Sequence, residues 1–306
     1  MTKFDHKINL PNIFLRNNLS ILPITRGDYL ISHFDAWHDF EEPDSHIFQA
    51  CLSEHLQSLD PKNIFSENVA LNYAFASGII EDFIGDENIF PTVSGRMSSG
   101  TFDFKINDTI KNFSHKVSVN NSQIEIDAAF EGIKFLTLIE AKNDLSDDFL
   151  VRQIYYPYRT WKDRVKKPVK LVFLVYSNGI FYLREYSFAD SDSYSSIYLV
   201  KQKKYSIEST KITLDDIQEV LHNVKTKIEP EIPFPQADKF ERIINLCELL
   251  NEKTLNRSEV TAKYDFDERQ TNYYTDATRY LGLIEKFNIK GTITYDLSGF
   301  GIKILR

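Results

Sequence analysis

The sequence has little cysteine and no long apolar run. Only two of its 306 residues are cysteine, and Cys51 and Cys247 lie too far apart to form a pair with metal-ligand spacing. This usage is typical of a reduced, intracellular protein. No stretch is long and apolar enough to cross a membrane, and residues 1–14 lack the charged-then-apolar layout of a signal peptide. We therefore expect a cytoplasmic protein with no membrane partner.

An excess of positive charge is also absent. The chain has 36 Lys and Arg against 44 Asp and Glu, a formal net charge of -8 at pH 7. Proteins that coat nucleic acid without sequence preference use a broad basic surface, so the charge argues against that class. It leaves open an enzyme that holds DNA in a local cleft, because carboxylates that bind a metal contribute negative charge themselves. The apolar content of 42% supports a full hydrophobic core.

The stretch from Gln123 to Arg159 carries the residues on which the functional interpretation depends. Asp127 lies in one extended run, and the next, almost wholly apolar run ends in Glu140-Ala141-Lys142. Residues two apart on a strand share a face, so Glu140 and Lys142 point the same way. Carboxylates are the oxygen ligands that Mg²⁺ prefers, and the Ala141 carbonyl is a further candidate ligand. With Lys142 to orient or activate a water and stabilise negative charge, the set predicts metal-assisted hydrolysis of a phosphodiester.

The strand register poses a difficulty for this site. The two runs flank Glu131-Gly132, which suits a hairpin turn. A two-residue turn there would pair Asp127 with Leu136, four residues short of Glu140. A longer or bulged turn, or strongly twisted strands, would bring the two acids together, and the sequence leaves these alternatives open.

Two flanking helices supply further candidates for catalysis. Ser66 is a suitable N-cap for a helix running to about Ile84, and Glu67 lies in its first turn, where the helix dipole favours a carboxylate. That alone accounts for Glu67, but the residue also suits an outer acid of the metal site. Gln153, in a helix predicted from Asp148 to about Val165, is placed to position a water or a phosphate.

Basic residues near these elements suggest contacts with a phosphate backbone. Arg96 lies in the Gly/Ser-rich passage Pro91–Gly100, read as a loop whose small side chains allow close approach. Arg152 and Arg159 belong to the most basic local stretch, which is interleaved with tyrosine and tryptophan. A solvated loop and a solvated helix face explain the same residues without any ligand.

A second domain follows a proline-rich linker, Glu229 to Pro235. We place the catalytic domain with an N-terminal extension at 1–230 and a second domain at 236–306. Three predicted helices and a β-hairpin in the second domain are the layout of a winged helix-turn-helix, whose third helix enters the major groove of DNA. The side chains of that helix suited to DNA contact are Arg269, Gln270, Asn272, Tyr273 and Arg279. Such domains also mediate protein contacts.

The motif resembles that of the PD-(D/E)XK nuclease superfamily. Asp127 matches the first acid of the family, and Glu140-x-Lys142 matches the second half of the motif. Ile126 stands where the family usually has proline. The motif is short and occurs by chance in many proteins, so the surrounding order of hairpin, apolar strand, helix and second hairpin carries much of the resemblance.

The resemblance extends to the flanking helices and covers roughly residues 66–187. Glu67 occupies the place of an extra acid found in some members, and Gln153 that of a glutamine found in others. The tyrosine expected four residues later is replaced by Pro157, with Tyr158 one position further.

These observations predict an α/β protein with a restriction-endonuclease-like core, a mixed sheet of about five strands flanked by helices. The resemblance implies a type II restriction endonuclease of a prokaryotic cytoplasm, using Mg²⁺ to cut double-stranded DNA at a specific short sequence. A palindromic target would call for a homodimer. One alternative is a modification-dependent restriction endonuclease. Another is a noncatalytic winged-helix regulator, in which Glu140 and Lys142 form only an ion pair at a strand end.

Overall fold

The computed structural model describes residues 4–42, 46–53, 55–59, 64, 66–207, 213–264 and 268–305. Its helices are α1 (Asn12–Arg16), α2 (Glu67–Ala76), α3 (Ile79–Ile84), α4 (Arg152–Trp161), α5 (Leu214–Asn223), α6 (Phe240–Glu252), α7 (Arg257–Lys263), α8 (Glu268–Tyr280) and α9 (Gly299–Leu305). Its strands are β1 (Ser20–Pro23), β2 (Tyr29–Ser32), β3 (Trp37–Asp39), β4 (Ile47–Gln49), β5 (Phe90–Ser98), β6 (Thr101–Asn107), β7 (Ser114–Asn120), β8 (Gln123–Glu131), β9 (Leu136–Lys142), β10 (Asp148–Leu150), β11 (Val169–Ser177), β12 (Ile180–Phe188), β13 (Ile197–Ser206), β14 (Leu255–Asn256), β15 (Ile284–Ile289) and β16 (Thr292–Leu297).

A mixed sheet of seven strands forms the centre of the chain, in the order β4-β13-β12-β11-β9-β8-β5. The pairs β9–β11 and β4–β13 are parallel, and the other neighbours are antiparallel. With helices packed against this sheet, the chain is a mixed α/β protein, as predicted. The sheet is larger than the expected five strands.

The additional strands lie where the sequence pattern gives no strand signal. Residues 91–100 were expected to form a loop, but β5 covers most of them as an edge strand with two register shifts against β8. The sequence predicts one helix over residues 47–59, ended by Asp60-Pro61, but residues 47–49 form β4 and pair with β13. In both cases the backbone partner is remote in sequence, so hydrogen bonding to that partner, rather than local side-chain periodicity, decides the structure.

Strand β9 lies between two hydrophobic clusters. Leu136 and Leu138 belong to the cluster that also holds Ile154 of α4, whereas Ile139 and Ala141 belong to the cluster that is formed with α2 and α3. The apolar character of β9 thus follows from its burial on both faces, as expected of a central strand. Its polar end, Glu140 to Lys142, emerges at one edge of this packed region.

The connection between β8 and β9 has four residues, 132–135, and this length resolves the register problem. Pairing runs from Glu131 opposite Leu136 to Ala128 opposite Ile139. The same register, continued by one residue, sets Asp127 opposite Glu140. The two-residue turn expected at Glu131-Gly132 is therefore wrong.

The Asp86 side chain fixes the conformation of this four-residue connection. Its buried carboxylate accepts hydrogen bonds from the backbone N–H groups of Lys134 (2.9 and 3.1 Å) and Phe135 (2.9 Å). A Cβ at Gly132 would lie 2.4 Å from the Asp86 Oδ2, so only glycine fits there. Burial opposes ionisation of Asp86, but these backbone hydrogen bonds lower its pKa.

The helix that carries Glu67 begins as predicted and ends earlier than predicted. The Ser66 hydroxyl accepts a hydrogen bond from the Val69 N–H and caps α2. The expected single helix to Ile84 is divided at Gly78, whose φ of +74° is favourable only for glycine. The two short helices α2 and α3 follow one another across the face of the sheet.

The C-terminal part contains helices α6, α7 and α8 followed by the β15–β16 hairpin. The sequence predicts extended runs at Ile284–Ile289 and Thr292–Leu297, and the two strands have these bounds. Strand β14 adds to β16, and the short helix α9 was not predicted. Ser258 and Asp267 are the N-caps that the sequence suggests for the second and third helices, but Asn256 caps α7, and Asp267 lies outside the described residues. These elements enclose a third hydrophobic cluster that includes Leu246, Val260 and Tyr295.

Within the described ranges, no helix is both long enough and apolar enough to cross a membrane.

We predict that Asp86→Ala destabilises the fold by about 1–3 kcal/mol, because the Lys134 and Phe135 N–H groups lose their side-chain acceptor. The lowered pKa makes this contribution present above the unfolded value of 3.8 and lost as the pH falls through the folded value. Urea unfolding near neutral pH and at about pH 3 measures both effects. Glu87→Ala, at an exposed neighbouring position, is the control and should leave stability unchanged. An equally stable Asp86→Ala protein would contradict this role.

Candidate active site

The middle of β8 and the C-terminal end of β9 bring Asp127, Glu140 and Lys142 together. Asp127 Oδ2 accepts a hydrogen bond of 2.8 Å from the Ala141 N–H, which ties β8 to the end of β9. Lys142 Nζ donates to Glu140 Oε1 at 2.7 Å and to the Ala141 carbonyl at 3.2 Å. The three side chains predicted from the motif thus form one cluster, joined through the backbone of β9.

Gln153 enters the same cluster from the first turn of α4. Its Nε2 donates to Glu140 Oε1 at 2.7 Å, so Lys142 and Gln153 share one carboxylate oxygen. The Gln153 Oε1 is buried and has no hydrogen-bond partner among the described residues. A buried acceptor without a partner is costly unless a water or another ligand meets it. The buried Gln153 oxygen therefore needs a water or another ligand within the cluster.

Glu67 also lies in this cluster, at the N-terminus of α2. Burial raises the pKa of Glu67, Lys142 opposes the increase, and Asp127 adds to it. These mutual effects place the Glu67 carboxyl within electrostatic reach of both residues. The outer position suggested by the sequence is therefore occupied.

A cavity of about 130 Å³ opens over the cluster. Its polar lining is mainly acidic, with five carboxylates and two cationic side chains. The lining residues are Asp5, Glu67, Gln123, Ile124, Glu125, Asp127, Glu140, Lys142, Arg152, Gln153 and Pro157. Asp5 and Glu125 were not expected there. Asp5 comes from the N-terminal segment, and no local pattern in the sequence distinguishes it.

Two carboxylates of this cavity have raised pKa values. Burial, with the charges of Asp127 and Glu67, raises the pKa of Glu140 to about 8 against the opposing effect of Lys142. Burial of Lys142 works against its charged form, but Glu140, Glu67 and Asp127 raise its pKa well above the ordinary value. Carboxylates that disfavour one another's ionisation are stabilised by any additional positive charge.

A second cavity contains ionisable groups but none of the motif residues. It has a volume of about 700 Å³, lies between the N-terminal segment and β3, and has Lys7, Asp35, His38, Asp39 and Glu41 in its lining. His38 Nε2 lies 3.1 Å from Glu41, and the other oxygen of Glu41 accepts a hydrogen bond from the Tyr186 hydroxyl at 2.8 Å. Because the motif residues converge on the smaller acidic cavity, that cavity is the better candidate for an active site.

Within the described part of the chain, no three or more His, Cys, Asp and Glu side chains are arranged to hold a metal ion. The candidate ligands are therefore two carboxylates, Asp127 and Glu140, with the Ala141 carbonyl beside them. One oxygen of each carboxylate already accepts a hydrogen bond from this chain, and each has a second oxygen.

The three arginines predicted to contact DNA from the core differ in their surroundings. Arg152 lines the cavity and lies over the Tyr156 ring. Arg96 belongs to β5 instead of a loop, and its exposed side chain pairs with Glu125 at 3.3 Å, at the margin of the cavity. Both positions suit contact with a phosphate backbone.

Arg159 is directed inward, contrary to the prediction. Its side chain is only 8% exposed and forms a 3.0 Å ion pair with Asp192. It also donates to the Asp103 and Ser191 carbonyls and lies over the Phe102 ring. These contacts hold α4 against the adjoining strands, so Arg159 does not suit contact with DNA.

The five C-terminal candidates all lie on α8 and none of them lines the cavity. Arg269 donates to the Tyr273 hydroxyl and lies over its ring. Arg279 pairs with Asp276 at 2.8 Å. Gln270 is exposed, and Asn272 is half-buried. The exposed part of this set is the first turn of α8.

Helix α6 holds the segment that follows β9, a connection that the sequence did not reveal. Asn245 is fully buried and donates to the Asn143 carbonyl at 2.8 Å. It accepts from the Leu145 N–H at 3.3 Å and from the Tyr264 hydroxyl at 2.8 Å. The only local signal is a polar residue within the otherwise apolar run Ile243–Cys247.

The same helix also holds the end of β11, the parallel neighbour of β9. Glu248 accepts hydrogen bonds of 2.8 Å from the Ser177 hydroxyl and from the Asn178 N–H. The C-terminal elements therefore pack directly against the edge of the sheet where the acids lie. Asn245 and Glu248 fix the backbone on both sides of that edge.

Three family models match the chain. The model described as Domain of unknown function (DUF6997) matches residues 32–206, which is more than half of the chain. This range includes every residue that lines the acidic cavity except Asp5. Models described as Domain of unknown function (DUF7226) and Domain of unknown function (DUF6996) match residues 242–306 and 1–31. No curated protein and no solved structure matches.

We predict that Asn245→Ala lowers the free energy of unfolding by about 2 kcal/mol or more, because Asn143, Leu145 and Tyr264 each lose the hydrogen bond to Asn245. Asn251→Ala is the matched control, since the same residue type lies exposed on the same helix. Thermal and urea unfolding compare the two variants with the parent. Equal stability of both variants would show that the contacts of Asn245 do not hold the C-terminal elements in place.

Proposed function

This chain belongs to the DUF6997 family, and we propose that it is a Mg²⁺-dependent endonuclease that cuts double-stranded DNA at a specific short sequence. One observation carries the proposal. Asp127 and Glu140 lie opposite each other on neighbouring strands, with Lys142 and Gln153 bonded to Glu140 in an acidic cavity. Two acids and a lysine in this arrangement suit hydrolysis of a phosphodiester in the manner of a type II restriction enzyme.

The residues of the cavity fit a magnesium ion. Mg²⁺ is usually bound through one or two carboxylates together with waters and substrate phosphates, and seldom by a cage made wholly of protein groups. A pair of carboxylates with few further ligands therefore suits Mg²⁺ better than Zn²⁺ or Ca²⁺. Asp127 and Glu140 would hold the ion, with the Ala141 carbonyl beside them. The ion would supply Lewis acidity and lower the pKa of a bound water.

Lys142 acts as a fixed positive charge in this proposal. Its pKa is raised well above the ordinary value by three carboxylates, so the ammonium form persists at neutral pH. A charged ammonium stabilises the negative charge that develops on the phosphate and does not serve as a general base. The hydrogen bond to Glu140 directs the Lys142 side chain across the cavity.

Gln153 and Arg152 have distinct roles at the start of α4. The amide nitrogen of Gln153 is occupied by Glu140, which leaves its buried carbonyl oxygen to accept a hydrogen bond from the attacking water. Arg152 lines the same cavity and suits contact with a phosphate adjoining the reacting one. Glu67 adds an outer carboxylate that reinforces the negative potential.

The proposed architecture is a restriction-endonuclease-like core followed by a winged-helix domain. The seven-stranded mixed sheet with α2, α3 and α4 against it supports the first part. Helices α6, α7 and α8 followed by the β15–β16 hairpin support the second. In that arrangement α8 would read base edges, with Arg269 and Gln270 at its start.

We expect purified protein to convert plasmid DNA to discrete fragments in the presence of Mg²⁺. Glu140→Ala and Lys142→Ala should each reduce the rate at least about 100-fold, because each removes a group that stabilises the transition state. Glu131→Ala, on the same strand as Asp127 but at its far end, should cut at the parental rate. Gel electrophoresis of timed samples measures all four proteins.

Two other outcomes of this experiment have definite meanings. If the parent retards DNA in a gel without cutting it, a noncatalytic winged-helix regulator replaces the nuclease. If cleavage occurs only on methylated plasmid and not on an unmethylated copy, the enzyme is a modification-dependent endonuclease.

We further predict that Mg²⁺ raises the melting temperature of the parent and of Glu131→Ala, but not of Asp127→Ala or Glu140→Ala. Coordination requires ionised carboxylates, and the pKa of Glu140 is raised to about 8. The increase caused by Mg²⁺ should therefore grow as the pH rises from about 6 to about 9. Differential scanning fluorimetry, with a metal-free sample at each pH, measures it. An equal shift in all four proteins would contradict binding at this site.

A further inference from the structure

An apolar stripe along helix α5 is exposed in the described part of the chain. Leu214, Ile217 and Leu221 lie in the helix, and Val224 follows as its C-cap in extended backbone, at spacings of three, four and three residues. Their exposed fractions are 77, 48, 67 and 64%. No residue of α5 is buried. We call these four residues the seam.

The helix is well capped but too short to be stable by itself. Thr213 and Asp216 form a capping box at its N-terminus. An isolated helix of ten residues is marginal in water, and most helical stability in proteins comes from packing of an apolar face. Val220, 64% exposed, widens the stripe beside the seam. A contiguous apolar surface of this kind marks a site of association.

We propose that the seam packs against the seam of a second copy of this chain, with the two helices antiparallel. Alternating spacings of three and four residues are those of paired helices, in which apolar side chains of one helix fit between those of its partner. The same pattern on both copies makes the surface self-complementary, as a twofold interface requires.

The charges along the helix favour the antiparallel direction. Its first half carries Asp215, Asp216 and Glu219, whereas Lys225 follows its end. Lys227, two residues further on, lies over the Phe300 ring. Antiparallel packing sets the acidic end of each helix beside the basic end of the other. Parallel packing would bring like charges together at both ends and would also align the two helix dipoles unfavourably.

The interface concerns neither the acidic cavity nor any residue assigned to it. A dimer formed through this interface would nevertheless place two acidic cavities on one DNA duplex, as the proposed cleavage of both strands requires. Since the mass of the free protein can be measured without DNA or metal, dimerisation and the proposed nuclease activity can fail independently.

Sedimentation velocity of the full chain at micromolar concentrations tests the proposal. The parent should show a species of twice 35.6 kDa. Ile217→Asp with Leu221→Asp should weaken dimerisation at least about tenfold, since carboxylates would be buried in an apolar seam. The control adds the same two charges at exposed positions away from α5, as Gln236→Asp with Asn251→Asp, and should remain dimeric. Because α5 buries no residue, the seam variant should still unfold in one cooperative transition.

Charge reversal tests the direction of packing. Asp215→Lys alone and Lys225→Glu alone should each weaken dimerisation by roughly twofold to fivefold, and the two together should restore it. A parent that sediments as a monomer, or a dimer unaffected by the seam substitutions, would overturn the proposal. Single reversals without effect would overturn the antiparallel direction.

Discussion

A four-residue connection, held by the carboxylate of Asp86, sets the register of the two strands that carry the candidate catalytic acids. Slipping this register by one residue would turn Asp127 to the opposite face of the sheet. In the observed register Asp127 lies opposite Glu140 and accepts the Ala141 N–H. The positions of Lys142 and Gln153 follow from this pairing, because both side chains donate hydrogen bonds to Glu140.

The cavity concentrates negative charge that the chain only partly neutralises. Glu140 is buried and its pKa is raised, even though Lys142 contacts it directly. A stable protein seldom keeps such an arrangement for packing alone, since apolar side chains would fill the same space at lower cost. The proposed cation and phosphate would together account for the acids, the lysine and the buried amide oxygen of Gln153, which has no hydrogen-bond partner among the described residues.

Local patterns in the sequence predicted the elements whose packing is regular. The β11–β12 hairpin turns at Asn178-Gly179, where both residues have positive φ, and the β15–β16 hairpin keeps its predicted bounds. The motif also located Asp127, Glu140 and Lys142. These successes share a cause, since turn residues and apolar periodicity act over a few positions.

Features that depend on remote partners were missed. Asp86, which fixes the critical turn, lies 48 residues before Lys134. Arg159 faces inward because it donates hydrogen bonds to the carbonyls of Asp103 and Ser191. Asn245 donates to the carbonyl of Asn143, which lies 102 positions earlier in the sequence. The edge strands β4 and β5 likewise owe their conformation to pairing with distant chain segments.

Crystals grown with Mn²⁺ and measured at its absorption edge would test the account most directly, because Mn²⁺ takes the same oxygen ligands as Mg²⁺. The account predicts anomalous density bonded to carboxylate oxygens of both Asp127 and Glu140. Absence of density there, with the Lys142 ammonium still bound to Glu140, would contradict it.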